Sequence, residues 1–171
     1  MTAQPPTFDE LLRATQRSAL HLETRDGYST SHHAYRSWQA GEHVDPHAVW
    51  PQWRELLAPV TERGAVVQRA RIVSEPISDY IRFEHAITPD LNLAAGEDVR
   101  WLPRRQASDL ALPGNDFWMF DHHTVLWVHF TGDGESAGHE ITDDPALVKL
   151  CSDAFQAVWE RAIPHTDYRP N

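Results

Sequence analysis

The run from Gly64 to Gly134 constrains the fold more than any other part of the chain. It reads GAVVQRARIVSEPISDYIRFEH and then, after a short interval, GEDVRWLPRRQASDLALPGNDFWMFDHHTVLWVHFTGDG. Its opening strand, Ala65 to Val73, alternates strictly: Val67, Arg69, Arg71 and Val73 share one face, and Val66, Gln68, Ala70 and Ile72 share the other. A helix follows, with Ser74 as its cap, Pro76 near its first turn, and Ile77, Tyr80, Ile81 and Glu84 at helical spacing. Asp98 to Leu102 is the next strand. Asn115 to Phe120 and Thr124 to Phe130 then form a hairpin that turns near Asp121-His122-His123. Arginines and carboxylates fall at strand ends, where α/β sheets hold ligands.

The flanking sequence supplies helices and one more strand. Thr7 and Glu10 form a capping box for a helix from Phe8 to Ala14, and Ser18 to Thr24 alternates as a strand. A helix over His33–Ala40 ends at Gly41. Another begins after Asp45-Pro46 and carries Val49, Trp50, Trp53, Leu56, Leu57 and Val60. The last helix, from Thr142-Asp-Asp-Pro145 to about Ala162, presents a stripe of Leu147, Leu150, Cys151, Ala154, Phe155, Val158 and Trp159. The expected architecture is α/β (α+β): a loose tail over 1–7, then a single domain over 8–171 with a mixed sheet of about five strands and helices packed against it. At 171 residues the chain is the size of one domain.

Composition narrows the function. A net charge of −10 argues against direct nucleic-acid binding, which needs a basic surface. The basic residues are arginines apart from Lys149. One cysteine, Cys151, leaves no partner for an intramolecular disulfide and points to a reducing compartment. Its place in the apolar stripe makes it a packing residue. No apolar run approaches a membrane span, and residues 1–16 lack an apolar signal core, so the expected location is cytoplasmic, without membrane contact.

Catalytic and metal patterns are incomplete. The adjacent pairs His32-His33 and His122-His123 point to different faces, and there is no His-Glu-x-x-His, so no metal and no cofactor are expected. There is no Gly-x-Ser-x-Gly, and Gly132-Asp-Gly134 follows a hairpin rather than a first strand, unlike a dinucleotide loop. No catalytic residue is therefore assigned. The strongest polar set is Arg69, Arg71, Glu75, Asp79, Arg82, Glu84 and Arg100, readable as a salt-bridge network or as a ligand site clamped by Arg71 and Arg82. Asn115, Asp116 and Asp121 bracket the hairpin strand. Arg69, Arg71, Glu75, Asp79, Arg82, Asp116 and Asp121 are the candidate ligand-binding residues.

The runs ALHLETRDGY, RARIVSEPISDYIRFEH, NLAAGEDVRWLPRR, LALPGNDFWMFD and AVWERAIPH resemble an actinobacterial family of unknown function, over roughly Phe8 to His165. Members tend to lie beside small helix-turn-helix regulators, so the resemblance implies a regulatory or signalling setting. The acidic pair usual at the hairpin turn stands here as Asp121-His122. The order of elements also resembles a phospholipase-D-like half domain, whose His-x-Lys-x-x-x-x-Asp motif spans the hairpin. With its aspartate on Asp121, Gly114 takes the histidine position and Asp116 the lysine position. That resemblance implies a catalytically silent sensor or dimerisation domain, and hence a homodimer. The leading expectation is a non-enzymatic regulatory or sensor protein that binds a small polar or anionic ligand, or a helix-turn-helix partner protein. The alternative is a hydrolase or phosphodiesterase using His122, His123 or His129 with Asp116 or Asp121. A third is a scaffold anchored by exposed Trp38 and Trp101.

Overall fold

The computed structural model describes residues 5–171; of the expected tail over 1–7, residues 1–4 lie outside the described residues. Six α-helices and seven strands follow in chain order: α1 (Phe8–Ala14), β1 (Ser18–Glu23), α2 (His33–Gln39), α3 (Pro46–Val49), α4 (Pro51–Glu62), β2 (Val66–Val73), α5 (Asp79–Leu91), β3 (Glu97–Pro103), β4 (Asp116–Phe120), β5 (Thr124–Phe130), β6 (Ser136–Thr142), α6 (Pro145–Arg161) and β7 (Ile163–Pro164). The strands form one mixed sheet in the order β6-β5-β4-β1-β2-β3-β7. β1, β2 and β3 are parallel, and every other pairing is antiparallel.

The alternation in β2 divides the sheet into two faces. Ala70 and Ile72 join Leu20, Leu22, Leu102, Phe117 and Met119 beneath α6. Val67 lies under α4 with Ala19 and Trp118, and Val73 lies under α5 with Val99 and Trp101. One face thus carries a single long helix, and the other carries all the remaining helices. β1 is buried along its entire length, as a strand covered on both faces must be.

The sheet has seven strands rather than about five. The two additions are those with the least sequence signal. β6 is polar and largely exposed, and β7 is only two residues long. The helix expected after Asp45 is two helices, because Trp50 leaves helical geometry (φ −126°, ψ 58°) before Pro51 restarts the chain. α5 begins later than expected. Its cap is Ser78, whose hydroxyl accepts from Ile81 N, while Ser74 is bound to Asp26 instead. On α6, Val148 is buried and Leu147 and Leu150 are exposed, a shift of one position around the helix. Trp101 is fully buried and Trp38 is partly buried against Phe83, so neither ring is an exposed anchor. No helix among the described residues is long and apolar enough to cross a membrane.

Candidate functional site

The polar side chains converge in the middle of the many-helix face, where four strands lie in register. β1 sets His21 beside Arg69 and Glu23 beside Arg71. β3 starts with Glu97, and β4 starts with Asp116. Because β1 alternates, His21 and Glu23 point to the same face as Arg69 and Arg71. The result is a buried ionic cluster built from residues far apart in sequence.

Glu23 is its hub. Arg71 Nε donates to Glu23 Oε2 at 2.6 Å, Arg69 Nη1 donates to Oε1 at 2.5 Å, and His21 Nε2 lies 3.1 Å from Oε1. Arg69 Nε donates to Glu97 Oε1 at 2.6 Å, and Asn92 Nδ2 holds the other Glu97 oxygen at 2.6 Å. From α5, Thr88 accepts from Arg71 Nη1, and Glu84 Oε2 lies 3.2 Å from Arg71 Nη2. Each guanidinium also sits over aromatic rings: Arg69 over Trp53 and Trp118, and Arg71 over Trp101 at 4.9 Å. Charges taken out of water this far persist only when paired and hydrogen-bonded.

Electrostatics divides the acids into two kinds. Burial disfavours the Glu23 carboxylate, yet Arg71 and Arg69 override it and hold its pKa well below the usual range. Glu84 and Asp116 go the other way. Burial pushes each carboxyl above its ordinary value, with Glu23 adding to the effect, and the hydrogen bonds and cations around them do not compensate.

Above the cluster is a cavity of ≈ 320 Å³. Arg69, Arg71, Glu84 and Asn92 contribute to its polar lining, with Ser29, His32 and Gln52. Tyr28, Tyr35, Trp50, Trp53, Tyr80 and Phe83 make most of its aromatic wall. Tyr35 packs edge-on to Tyr80, and Tyr28 reaches across to donate its hydroxyl proton to Asp116, which also accepts from Thr24 N and Oγ1. Such a pocket, apolar-walled with a few converging polar groups and shifted titrations, has the character of a small-molecule site.

The sequence-derived candidates divide accordingly. Arg69 and Arg71 line the cavity, and Asp116 supports its wall through Tyr28. Glu75 accepts from Tyr168 Oη at 2.8 Å, near the C-terminal segment. Asp79 and Arg82 are an exposed pair 3.9 Å apart, so Arg71 and Arg82 do not converge into a clamp. Arg100 belongs to the α6 face, over Trp159 at 4.2 Å. Asp121 accepts from the backbone N–H groups of Gln16, Arg17 and Ser18 and fastens the α1–β1 connection. The hairpin histidines also disperse: His122 and His123 are exposed, near Ser152 and Thr124, and His129 faces Glu140. Glu23, Glu97, Asn92 and the tyrosines were not among the candidates. The alternation of His21 and Glu23 in an otherwise apolar strand was the available signal. Among the described residues, no three His, Cys, Asp or Glu side chains cluster as a metal site.

Fold and site together define an α/β domain with an aromatic-walled cavity on one face of a mixed sheet. The chain belongs to the family described as Domain of unknown function (DUF6879), whose model matches residues 6–170. No curated protein matches it.

Proposed function

We propose that this is a non-enzymatic, small-ligand-binding sensor protein whose ligand occupies the aromatic-walled cavity over Arg69, Arg71 and Glu84. The observation that carries the reading is the cavity itself. Its ≈ 320 Å³ fits a small molecule, and its floor is a fixed ionic cluster rather than a mobile loop. The ligand is polar, because the lining combines ionised groups with tyrosine and tryptophan. The regulatory setting, with a helix-turn-helix partner reading the occupied state, enters this proposal from the family resemblance, and the catalytically silent phospholipase-D-like kinship enters it from the order of elements.

The test is a thermal-shift screen with small cationic, neutral and anionic polar compounds, run in parallel on Leu91→Trp, which fills the cavity from a half-buried lining position. The expected result is stabilisation of the unmodified protein by at least one class, lost in the variant. Equal shifts in both proteins, or none in either, would overturn the proposal.

A further inference from the structure

The cluster beneath the cavity holds more acid than base. Glu23, Glu84, Glu97 and Asp116 are set against Arg69, Arg71 and His21. Both partners of the His21 ring, Phe117 O and Glu23 Oε1, are acceptors, so the ring is counted with the bases. Even then four carboxyl groups stand against three bases, one acid in excess. The only lysine, Lys149, is on α6, across the sheet, where it pairs with Asp153.

Two further observations indicate that this excess is unrelieved. Glu84 Oε2 is buried and makes no hydrogen bond of good geometry among the described residues, although Arg71 Nη2 lies 3.2 Å away. Asn92, only 2% exposed and part of the cavity lining, has its Oδ1 without a partner among the described residues. Both are acceptors awaiting a donor. The groups facing Glu84 are Tyr80 on its own helix, Arg69 and Arg71 on β2, and Glu23 on β1; the elevated carboxyls of Glu84 and Asp116 agree with an excess of acid.

The cationic donors of the lining are mostly engaged. The Nε and Nη1 donors of both guanidinia are already taken by Glu23, Glu97 and Thr88. The walls suit a cation. Tyr28, Tyr35, Trp50, Tyr80 and Phe83 line the cavity, and aromatic rings attract ammonium and guanidinium groups most strongly when water is excluded.

We infer that the cavity is a receptor site for a small organic cation, an amine or guanidinium compound whose charged head lies among the tyrosine and tryptophan rings beside Glu84. This inference rests on the proposed ligand-binding role and specifies the ligand's charge.

Matched probes test it. Tyramine, 4-ethylphenol and 4-hydroxyphenylacetate share one ring and carry positive, no and negative charge; choline and 3,3-dimethylbutanol form a second pair of nearly equal shape. Affinities are measured by calorimetry on the unmodified protein, on Glu84→Gln and on Trp50→Ala, each checked for native near-ultraviolet dichroism. The expected result is that each cation binds at least about 10-fold more tightly than its neutral partner. In Glu84→Gln that preference falls to less than about 3-fold while the neutral probes are unaffected, which a merely structural role for Glu84 would not produce. Trp50→Ala, at the cavity wall, weakens the cations and provides a second reading if Glu84→Gln does not fold. Neutral or anionic probes binding as tightly as the cations would overturn the inference while leaving the ligand-binding role intact. Binding of none of the five, with another class active in the thermal-shift screen, would also overturn it. Silence in both experiments would overturn the role as well.

Discussion

Glu23→Gln is the sharpest probe of the buried cluster, because it keeps the side chain's shape and removes one charge. Glu23 anchors two guanidinia at 2.5 and 2.6 Å and lies 3.1 Å from His21. A glutamine oxygen can still accept from one arginine, but its amide then faces the other. At least one charge-assisted hydrogen bond is lost, worth about 1.5–3 kcal/mol. Arg69 and Arg71 also lose the charge that separates them, and removing one partner of a buried ion pair costs about 3–5 kcal/mol in all. With a urea dependence of about 2 kcal/mol/M, the unfolding midpoint falls by about 2 M. Urea titration followed by tryptophan fluorescence reads this directly. Asp79→Asn, which breaks an exposed 3.9 Å pair, serves as the control at under about 0.5 kcal/mol. If Glu23→Gln and the control shift the midpoint equally at unchanged slope, the cluster does not hold the helices to the sheet, and the reasoning fails. The sign with pH is also fixed. The folded Glu23 pKa lies below its unfolded value, so its contribution is full above the unfolded pKa and is lost as pH falls through the folded one.

Three further outcomes follow from the same structure. Glu84 is the converse of Glu23: its folded pKa is raised, so its ionisation costs stability as pH rises, and Glu84→Gln should leave stability at pH 8 unchanged or improved, measured by the same titration. His165, held down to about 4 by burial and by the neighbouring His85, accepts from Trp101 Nε1. Stability should therefore fall between about pH 6.5 and pH 4 as the unfolded chain takes up the proton first, and the slope should flatten in His165→Asn; an unchanged slope would refute it. Burial pushes the Cys151 thiol up to about 12, and the residue is fully enclosed in the α6 core, so a thiol reagent at pH 8 should modify it only on unfolding.

Local pattern carried much of the fold and little of the site. The two faces of β2 could be read from its alternation, and α1 from Thr7 and Glu10, because each signal lies within one element. The Trp50 break is local, since Pro51 drives the residue before it out of helical geometry, whereas the late start of α5 depends on distant Asp26, which takes Ser74. The sheet's extra strands could not be read either: β6 is polar, and β7 pairs through only two residues. In the site, Arg69 and Arg71 were visible as charged residues in an apolar strand. Glu23 was not singled out, because its partners lie 46 and 48 residues away and only the β1–β2 register brings them together. The aromatic wall required the positions of α2, α3 and α5, which no periodicity supplies. Asp79 and Arg82 show the reverse error. Their spacing along the helix was correct, but that face looks into solvent.

The space above the Glu23 cluster is the proposed binding place, and a cation is the proposed ligand. A crystal structure of the protein with tyramine tests this proposal most directly. The expected density lies in the cavity, with the amine nitrogen within about 6 Å of the tyrosine or tryptophan ring centres and beside Glu84. Density elsewhere on the surface, or an amine turned away from Glu84 and the rings, would contradict it.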